Sequence, residues 1–517
     1  MTVPTSPAAG DYPEHRWRAL TGICLAATLV WLGFADFAVA IPTIAREIPA
    51  TLPQLQWANN AFGLATGVLV LAAGRLCDAY GQRRMLELGL VGMSAFSLVS
   101  LFVPGYTGLV VGRGLMGAAA AFVLPATLSL IPALFPPAEQ PRAFGAWMGA
   151  TWFGQAAGPA VGGLLTVLLG WRSIFWITVP LGLAALWLVR RNVLEVRDAE
   201  ASRRVDVPGV LTSGVAFFLL IYGCTLGQER GFDDPLVLAM LGAAVVLGTA
   251  FVLIQRRVAE PLLDLVLFSY PSFRGSLLAN TTMNAVFAGV VFLLAVYFQD
   301  VAGYSVFATG LLLLPASATV LLFIPVGGMF ESRYGPRLPV ATGLVCLGAG
   351  ALVAGQVAHG AGFGVVVTGQ VLAGMGLGVL SVPMSRALVA GPPIRLAGTA
   401  SGVFKESSMI GSALGVAVFS VAQRLFEDDT AVDTARGQGL SEADSEKLAN
   451  AVTDSAAADA LLSGVSAATR ETIRTVLRDV QETGTGDAIR VAGLVAVAAG
   501  LALPLVWRPY RRHSTPS

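Results

Sequence analysis

Four ionisable residues interrupt otherwise apolar runs of the chain: Asp36, Arg113, Lys405 and Glu406. On insertion scales a charge facing lipid costs about 2.5–3.5 kcal/mol, so each must face a protein interior, a cavity or another charge. A carboxyl group so placed can take up and release a proton, and a neighbouring guanidinium can steer that exchange. Arg113 either takes part in proton transfer or closes a structural ion pair, with Asp36 the candidate partner. Lys405 and Glu406 are adjacent, so on a helix they project about 100° apart and meet different surroundings. Glu406 in a cavity can exchange a proton for a cation; paired with Lys405 or Arg113 it is a structural ion. Trp31, Phe34, Trp147 and Trp152 lie in the same apolar runs. They either offer faces to flat or cationic compounds, by stacking and cation–π attraction, or pack as ordinary interior aromatics.

A second kind of chemistry is mechanical. The segment Gly74-Arg-Leu-Cys-Asp78-Ala-Tyr-Gly81-Gln-Arg83-Arg84 joins a tight turn at Gly81 to fixed charges. Asp78 there can face the positive end of a neighbouring helix while the arginines meet acidic groups or lipid phosphates, a latch that would break if two parts of the protein rocked apart. Further on, Gly145, Gly154, Gly158, Pro159, Gly162 and Gly163 fall within one apolar run. Gly154, Gly158 and Gly162 share a helical face, so another helix can approach to backbone contact, and Pro159 removes the bond to the Gln155 carbonyl and loosens the helix.

Long apolar helices must position these residues. Hydrophobic residues make up 55% and charged residues 13%, against about 25% charged in a soluble domain, and mean hydropathy is +0.71. Runs long enough to cross a bilayer fall near 19–41, 55–73, 85–103, 107–134, 144–170, 172–189, 207–226, 235–254, 275–299, 306–329, 339–357, 363–390, 399–423 and 489–507, fourteen in all. Arginines cluster in alternate loops, including Arg83, Arg84, Arg190, Arg191, Arg256 and Arg257, which places both termini in the cytoplasm. Net charge is +1 without a long basic run, so no nucleic-acid partner is expected. Neither the four cysteines nor the three histidines have a metal spacing, no phosphate-binding loop occurs, and no cofactor is expected.

The turn at Gly81 has an echo 254 residues later, Gly328-Met-Phe-Glu-Ser-Arg333-Tyr-Gly335-Pro-Arg337. Gly112-Arg113-Gly-Leu-Met-Gly117 likewise aligns with Gly369-Gln370-Val-Leu-Ala-Gly374. Together they pair spans 1–6 with spans 9–14 and leave spans 7 and 8 as an inserted pair, the two-half plan of many secondary transporters.

The Gly74–Arg84 segment resembles the major facilitator signature Gly-x-Leu-Ala-Asp-Arg-x-Gly-Arg-Arg, and the glycines of span 5 resemble the motif of proton-coupled exporters in that superfamily. Over residues 19–423 and 489–507 the chain is similar to the fourteen-span drug:proton antiporter-2 family, of EmrB/QacA type. The resemblance implies an all-α polytopic fold of two six-helix halves plus two inserted helices. It also implies that Arg113 takes part in proton transfer. The family's first span usually carries Asp nine residues before its proline; Gly33 stands there, and Asp36 lies three residues on, almost one helical turn.

The expected organisation is a disordered tail at 1–14, a first half at 15–189, a linker with the inserted helices at 190–274, a second half at 275–507 with an external polar hairpin at 427–488, and a tail at 508–517. Expected proton-coupling residues are Asp36, Arg113 and Glu406. Gly74, Asp78, Gly81, Arg83 and Arg84 form the latch; Trp31, Phe34, Trp147, Trp152 and Lys405 line the substrate cavity. The function expected is proton-coupled export of drugs or other small amphipathic or cationic molecules across the cytoplasmic membrane by a monomer in contact with lipid, and not catalysis. A dedicated exporter of an endogenous metabolite or lipid, with the hairpin adapted to deliver it, is the alternative, and a non-transporting sensor a weaker one.

Overall fold

The computed structural model describes residues 12–102, 105–195, 206–359, 363–437 and 467–507. The tail expected at 1–14 therefore lies, up to residue 11, outside the described residues, as do 508–517 and residues 438–466 of the hairpin. Apolar runs become helices because a bilayer offers the backbone no partner outside the segment itself. Fourteen long helices are described: α1 Arg16–Glu47, α2 Leu52–Tyr80, α3 Gln82–Ser100, α4 Gly105–Ser129, α5 Gln140–Leu169, α6 Ser173–Asn192 and α7 Val207–Arg230. These are followed by α8 Pro235–Gln255, α9 Pro271–Val296, α10 Val306–Tyr334, α11 Arg337–Ala354, α12 Phe363–Ala390, α13 Ala397–Gly437 and α14 Ala467–Val506.

Thirteen described helices are long and apolar enough to cross a membrane. The remaining expected span is α3, whose first two turns carry Arg83, Arg84 and Glu87; it packs against α4 and α6 all the same. The hairpin expected at 427–488 is described only at its two ends. Its described ends continue α13 to Gly437 and begin α14 at Ala467, and Glu427 is buried, bonded to Gln423, which also donates to Thr485 of α14.

Helices α1–α6 form one half and α9–α14 the other, with α7 and α8 between them in sequence. Within each half the closest crossings are made where a side chain is missing. A methyl added at Gly154, Gly158 or Gly162 of α5 would lie 2.6 Å from the Thr28 carbonyl oxygen, 2.5 Å from Ala35 Cβ and 2.7 Å from Asp36 Cβ of α1. The second half repeats the device: Gly411 of α13 meets the backbone of Thr281 on α9, and Gly415 that of Ala285. Gly81 and Gly335, the two echoing turn residues, both have positive φ, +111° and +74°. Gly145 and Gly163 make only looser contacts, at 3.9 and 3.4 Å.

The inserted pair is clasped at its open end. Asp206 caps α7 through the Gly209 N–H and accepts from the Gln255 amide of α8, while Gln255 accepts from the Leu263 N–H. The strand of chain leaving the pair is held to α2 by the Glu260–Arg75 ion pair, 3.1 Å. On its other face Phe217 of α7 fills the hollow at Gly67 of α2, where Met409 of α13 also reaches.

Replacing Gly158 or Gly162 by Val should force α1 and α5 apart and cost about 1–3 kcal/mol, read as a lower thermal unfolding midpoint of the purified protein. Gly149→Ala, on the same helix with nothing within 4 Å of the new methyl, should leave the midpoint where it is.

Candidate functional site

The two halves are joined by a carboxylate. Asp78, near the end of α2, is 2% exposed and accepts three hydrogen bonds from the first turn of α13: Gly398 N–H, Thr399 N–H and Thr399 Oγ1–H, each 2.7 Å. The first N–H groups of a helix lack intrahelical partners and sit at its positive end, so a carboxylate there is well met. Gly74, one turn earlier, lets the helices close; a methyl on it would lie 2.5 Å from the Gly398 carbonyl oxygen. After Asp78 the chain turns at Gly81, whose φ of +111° suits glycine and whose missing side chain leaves room for Glu195. Glu195 accepts from the Arg83 N–H and pairs with Arg84 at 3.5 Å, and Glu87 pairs with both Arg83 and Arg190. The arginines thus meet acidic groups of their own half.

Deeper in the first half, Arg113 of α4 is 1% exposed. Its guanidinium donates to the Gly33 carbonyl of α1 and to Asn59 Oδ1 of α2, and lies between the rings of Phe37 and Phe62, 4.7 and 4.6 Å from their centres. Asp36 is equally buried and within electrostatic reach of Arg113, but no ion pair among the described residues joins them within 4 Å. Gly162 of α5 presses on Asp36 from the other side. Beside Gly33 the space is open, with nothing within 4 Å of an added methyl.

Between the halves Lys405 of α13 reaches across to the first half. Its Nζ lies 4.9 Å from the Trp147 ring centre and 5.8 Å from that of Trp31. Trp31 stands edge-on to Phe34, and Phe34 leans on Phe62. Trp152 meets Phe287 of α9 edge-on at 5.7 Å, a second aromatic contact between the halves. The indole N–H groups of Trp31 and Trp147 are buried and have no acceptor. Two indole N–H groups and an ammonium are therefore near neighbours, and the faces of Trp31 and Trp147 carry the protein's own ammonium. Glu406 is half-buried and joins neither Lys405 nor Arg113 in an ion pair of the described residues.

Helices in two halves, a carboxylate tie between them and ionisable groups in the core form the frame of a transporter. The sequence model of the Major Facilitator Superfamily matches residues 23–416. The chain belongs to the Major Facilitator Superfamily. This facilitator is 32% identical over 502 residues to the tetracenomycin C resistance and export protein of Streptomyces glaucescens, covering 96% of this chain and 93% of that protein. It is 33% identical over 410 residues to the multidrug resistance protein Stp of Mycobacterium tuberculosis (strain CDC 1551 / Oshkosh), covering 78% and 75%. Among solved structures, the proton:xylose symporter XylE has the same fold, with a TM-score of 0.61 at 12% identity over 96% of both chains. The human organic anion transporter MFSD10 gives 0.59 at 15% over 93% of this chain and 99% of that one.

Of the residues singled out in the sequence, the facilitator gathers Gly74, Asp78, Gly81, Arg83 and Arg84 at one end of the bundle. Asp36, Arg113, Gly158 and Gly162 meet in the first half, and Trp31, Trp147 and Lys405 meet between the halves. Asn59, Glu195 and the acceptor role of the Gly33 carbonyl were missed. Asn59 was a readable signal, an amide in an apolar run with nothing local to bond; Glu195 lies 112 residues from its partner, and no local pattern marks it.

Asp78→Ala should remove three bonds to charge and let the Asp78 ends of α2 and α13 part. Spin labels on those two ends should report the separated state at least about tenfold more populated, with a smaller shift for Thr399→Val, which deletes only the hydroxyl. An unchanged distance distribution in both would mean that the tie does not set this equilibrium.

Proposed function

We propose that this facilitator is a proton-driven antiporter that exports small aromatic drugs across the cytoplasmic membrane, as a monomer surrounded by lipid, with both termini inside. The observation that carries the reading is the donor cluster of Lys405, Trp31 and Trp147 between the halves, a few turns from a buried carboxyl and guanidinium that do not close a salt bridge. The arginine-rich end at Asp78 is the cytoplasmic end by the charge asymmetry of its loops. Resistance and export in the names of the relatives, with 32% identity over nearly the full length, support the substrate class.

The cluster is made only of donors, and it complements a ligand that brings acceptors: a carbonyl, phenolate or carboxylate oxygen on a flat apolar body. This narrows the sequence reading, which included cationic compounds, because Lys405 repels a second cation at the same aromatic faces. Coupling follows from competition for charge. With Asp36 ionised, Arg113 is held by it, by Asn59 and by the Gly33 carbonyl. A proton arriving from outside neutralises Asp36, alters the field at Arg113 and changes how α1 seats on α5 at Gly158 and Gly162. Substrate leaves outward in that state. The Asp78 tie opens when the halves rock to the inward-facing state, in which the proton is released and new substrate binds. Glu406, half-buried and free of an ion pair among the described residues, is the second carboxyl able to carry a proton. The reaction breaks and forms no covalent bond, so the protein acts as a carrier and not an enzyme.

In proteoliposomes under an imposed pH gradient, wild type should move an acidic aromatic dye in exchange for protons and move ethidium poorly. Asp36→Asn should lower gradient-driven transport by at least about tenfold, and Gly33→Asp in that background should restore part of it, since the new carboxylate enters open space beside the Arg113 contact. Lys405→Met should raise the KM for the acidic dye about tenfold, the value of one charge-assisted bond. Transport of either dye that ignores the gradient, or is untouched by Asp36→Asn and Glu406→Gln together, would refute proton coupling through these groups.

A further inference from the structure

The tie at Asp78 has no twin on the opposite flank of the bundle. The repeat that carries Gly74 onto Gly328 and Gly81 onto Gly335 carries Asp78 onto Ser332 of α10. At the separation that pairs Gly154 with Gly411 and Gly158 with Gly415, Gly398 and Thr399 of α13 pair with Pro141 and Arg142 of α5. The fold keeps this correspondence in space. The nearest atom to a methyl added on Gly74 is the Gly398 carbonyl oxygen, at 2.5 Å, and the nearest to one on Gly328 is the Pro141 carbonyl oxygen, at 3.7 Å.

Acceptor and donors are both missing at the second place. Ser332 is exposed, and its hydroxyl donates to the Met329 carbonyl of its own helix. The neighbouring acid, Glu331, turns into its own half and pairs with Arg386 of α12 at 2.9 Å. Pro141 has no N–H to offer, and those of Gln140 and Arg142 are taken by the Pro136 and Glu139 carbonyls. The Glu139 carboxylate is held by Arg16 of α1 at 2.8 Å. Among the described residues no hydrogen bond or ion pair joins α5 to α10. Packing shows the same contrast. A methyl on Gly402 of α13 would lie 2.9 Å from the Val70 carbonyl oxygen of α2, whereas one on Gly145 of α5 meets only Ile324 of α10, at 3.9 Å, and one on Gly149 meets nothing within 4 Å. Pro325, next to Ile324, leaves the Leu321 carbonyl without its helical donor, so α10 can bend at that level.

The geometry points to a one-sided lock: at the Asp78 end of the bundle the halves are held along α2 and α13 and part first along α5 and α10. Parting on the Asp78 flank breaks three hydrogen bonds to a carboxylate and a backbone contact; parting on the other breaks no polar bond among the described residues. The mouth therefore swings like a door hung on the Asp78 side, and the tie yields only as opening becomes complete.

Distances between spin labels test this without any substrate, so the result stands apart from the export reading. The full chain, with its native cysteines replaced by alanine, is placed in lipid nanodiscs. One label pair replaces Arg142 and Arg333 on the α5–α10 flank, and the other replaces Arg84 and Arg395 on the α2–α13 flank, all four being exposed. The expected result is a longer-distance population at least about tenfold larger across Arg142 and Arg333 than across Arg84 and Arg395. Asp78→Ala should bring the two flanks to similar shares. Ser332→Asp combined with Pro141→Gly, which supplies both an acceptor and a free N–H, should shrink the α5–α10 population about tenfold, and Ser332→Asp alone should shrink it far less. Equal shares on the two flanks of the otherwise unaltered chain would overturn the lock, and this comparison needs neither variant to fold. So would an asymmetry that persists in Asp78→Ala, or an α5–α10 population untouched in the double variant, each read in protein whose thermal unfolding midpoint is retained.

Discussion

Three hydrogen bonds from the first turn of α13 to the Asp78 carboxylate tie the two halves together at one end of the bundle. Each half holds itself together by glycine crossings that have no counterpart between the halves except beside this carboxylate, at Gly74, Gly398 and Gly402. The bonding groups are backbone N–H donors that any helix start possesses, so the tie requires little of the second half beyond a helix that begins at the right height. It requires much of the first: a carboxylate at the last turn of α2, a glycine one turn back so that the helices touch, and a glycine at φ +111° so that the chain can leave without collision. The surrounding ion pairs of Arg83, Arg84, Arg190, Glu87 and Glu195 hold that turn within its own half.

The interior follows a complementary rule. Where two helices of one half meet, side chains are removed; where the halves face each other, large ones are kept. Trp31, Phe34, Trp147, Trp152, Phe287 and Lys405 occupy the boundary, and the smallest residues lie behind them. A bilayer contributes no hydrophobic drive between helices, so packing contact must come from close backbone approach. The buried indole N–H groups of Trp31 and Trp147 at this boundary have no acceptor among the described residues.

Much of this was legible in the sequence, for definite reasons. Most spans follow from apolar length alone, and the residue at Gly81 follows from a repeated turn whose partner at Gly335 also has a positive φ. The crossing of α1 on α5 was written in the spacing of Gly154, Gly158 and Gly162, although which helix they would meet was not. Contacts across long separations were the part that could not be read. Asn59 and the Gly33 carbonyl at Arg113, and Gly398 and Thr399 at Asp78, are set by tertiary placement and leave no local period. The helix-like spacing of the polar segment could be read, but not the partner on α14 that its start meets, Thr485, which accepts from Gln423. The absence of α3 from the apolar spans comes from three charges at its start, Arg83, Arg84 and Glu87, which pair with one another, with Arg190 of α6 and with Glu195.

The inserted helices occupy a position with a consequence for how a lipid-soluble compound can reach the interior. Phe217 of α7 sits in the notch at Gly67 of α2 with Met409 of α13 beside it, and Arg424 of α13 donates to the Gln228 carbonyl at the far end of α7. One helix therefore runs along the line where the two halves meet and touches both. A compound dissolved in the bilayer finds that side boarded over, and any sideways entry is confined to the opposite junction, where α5 faces α10 with no inserted helix described over it. A twelve-helix carrier has two such flanks; in this chain the additional pair leaves it one.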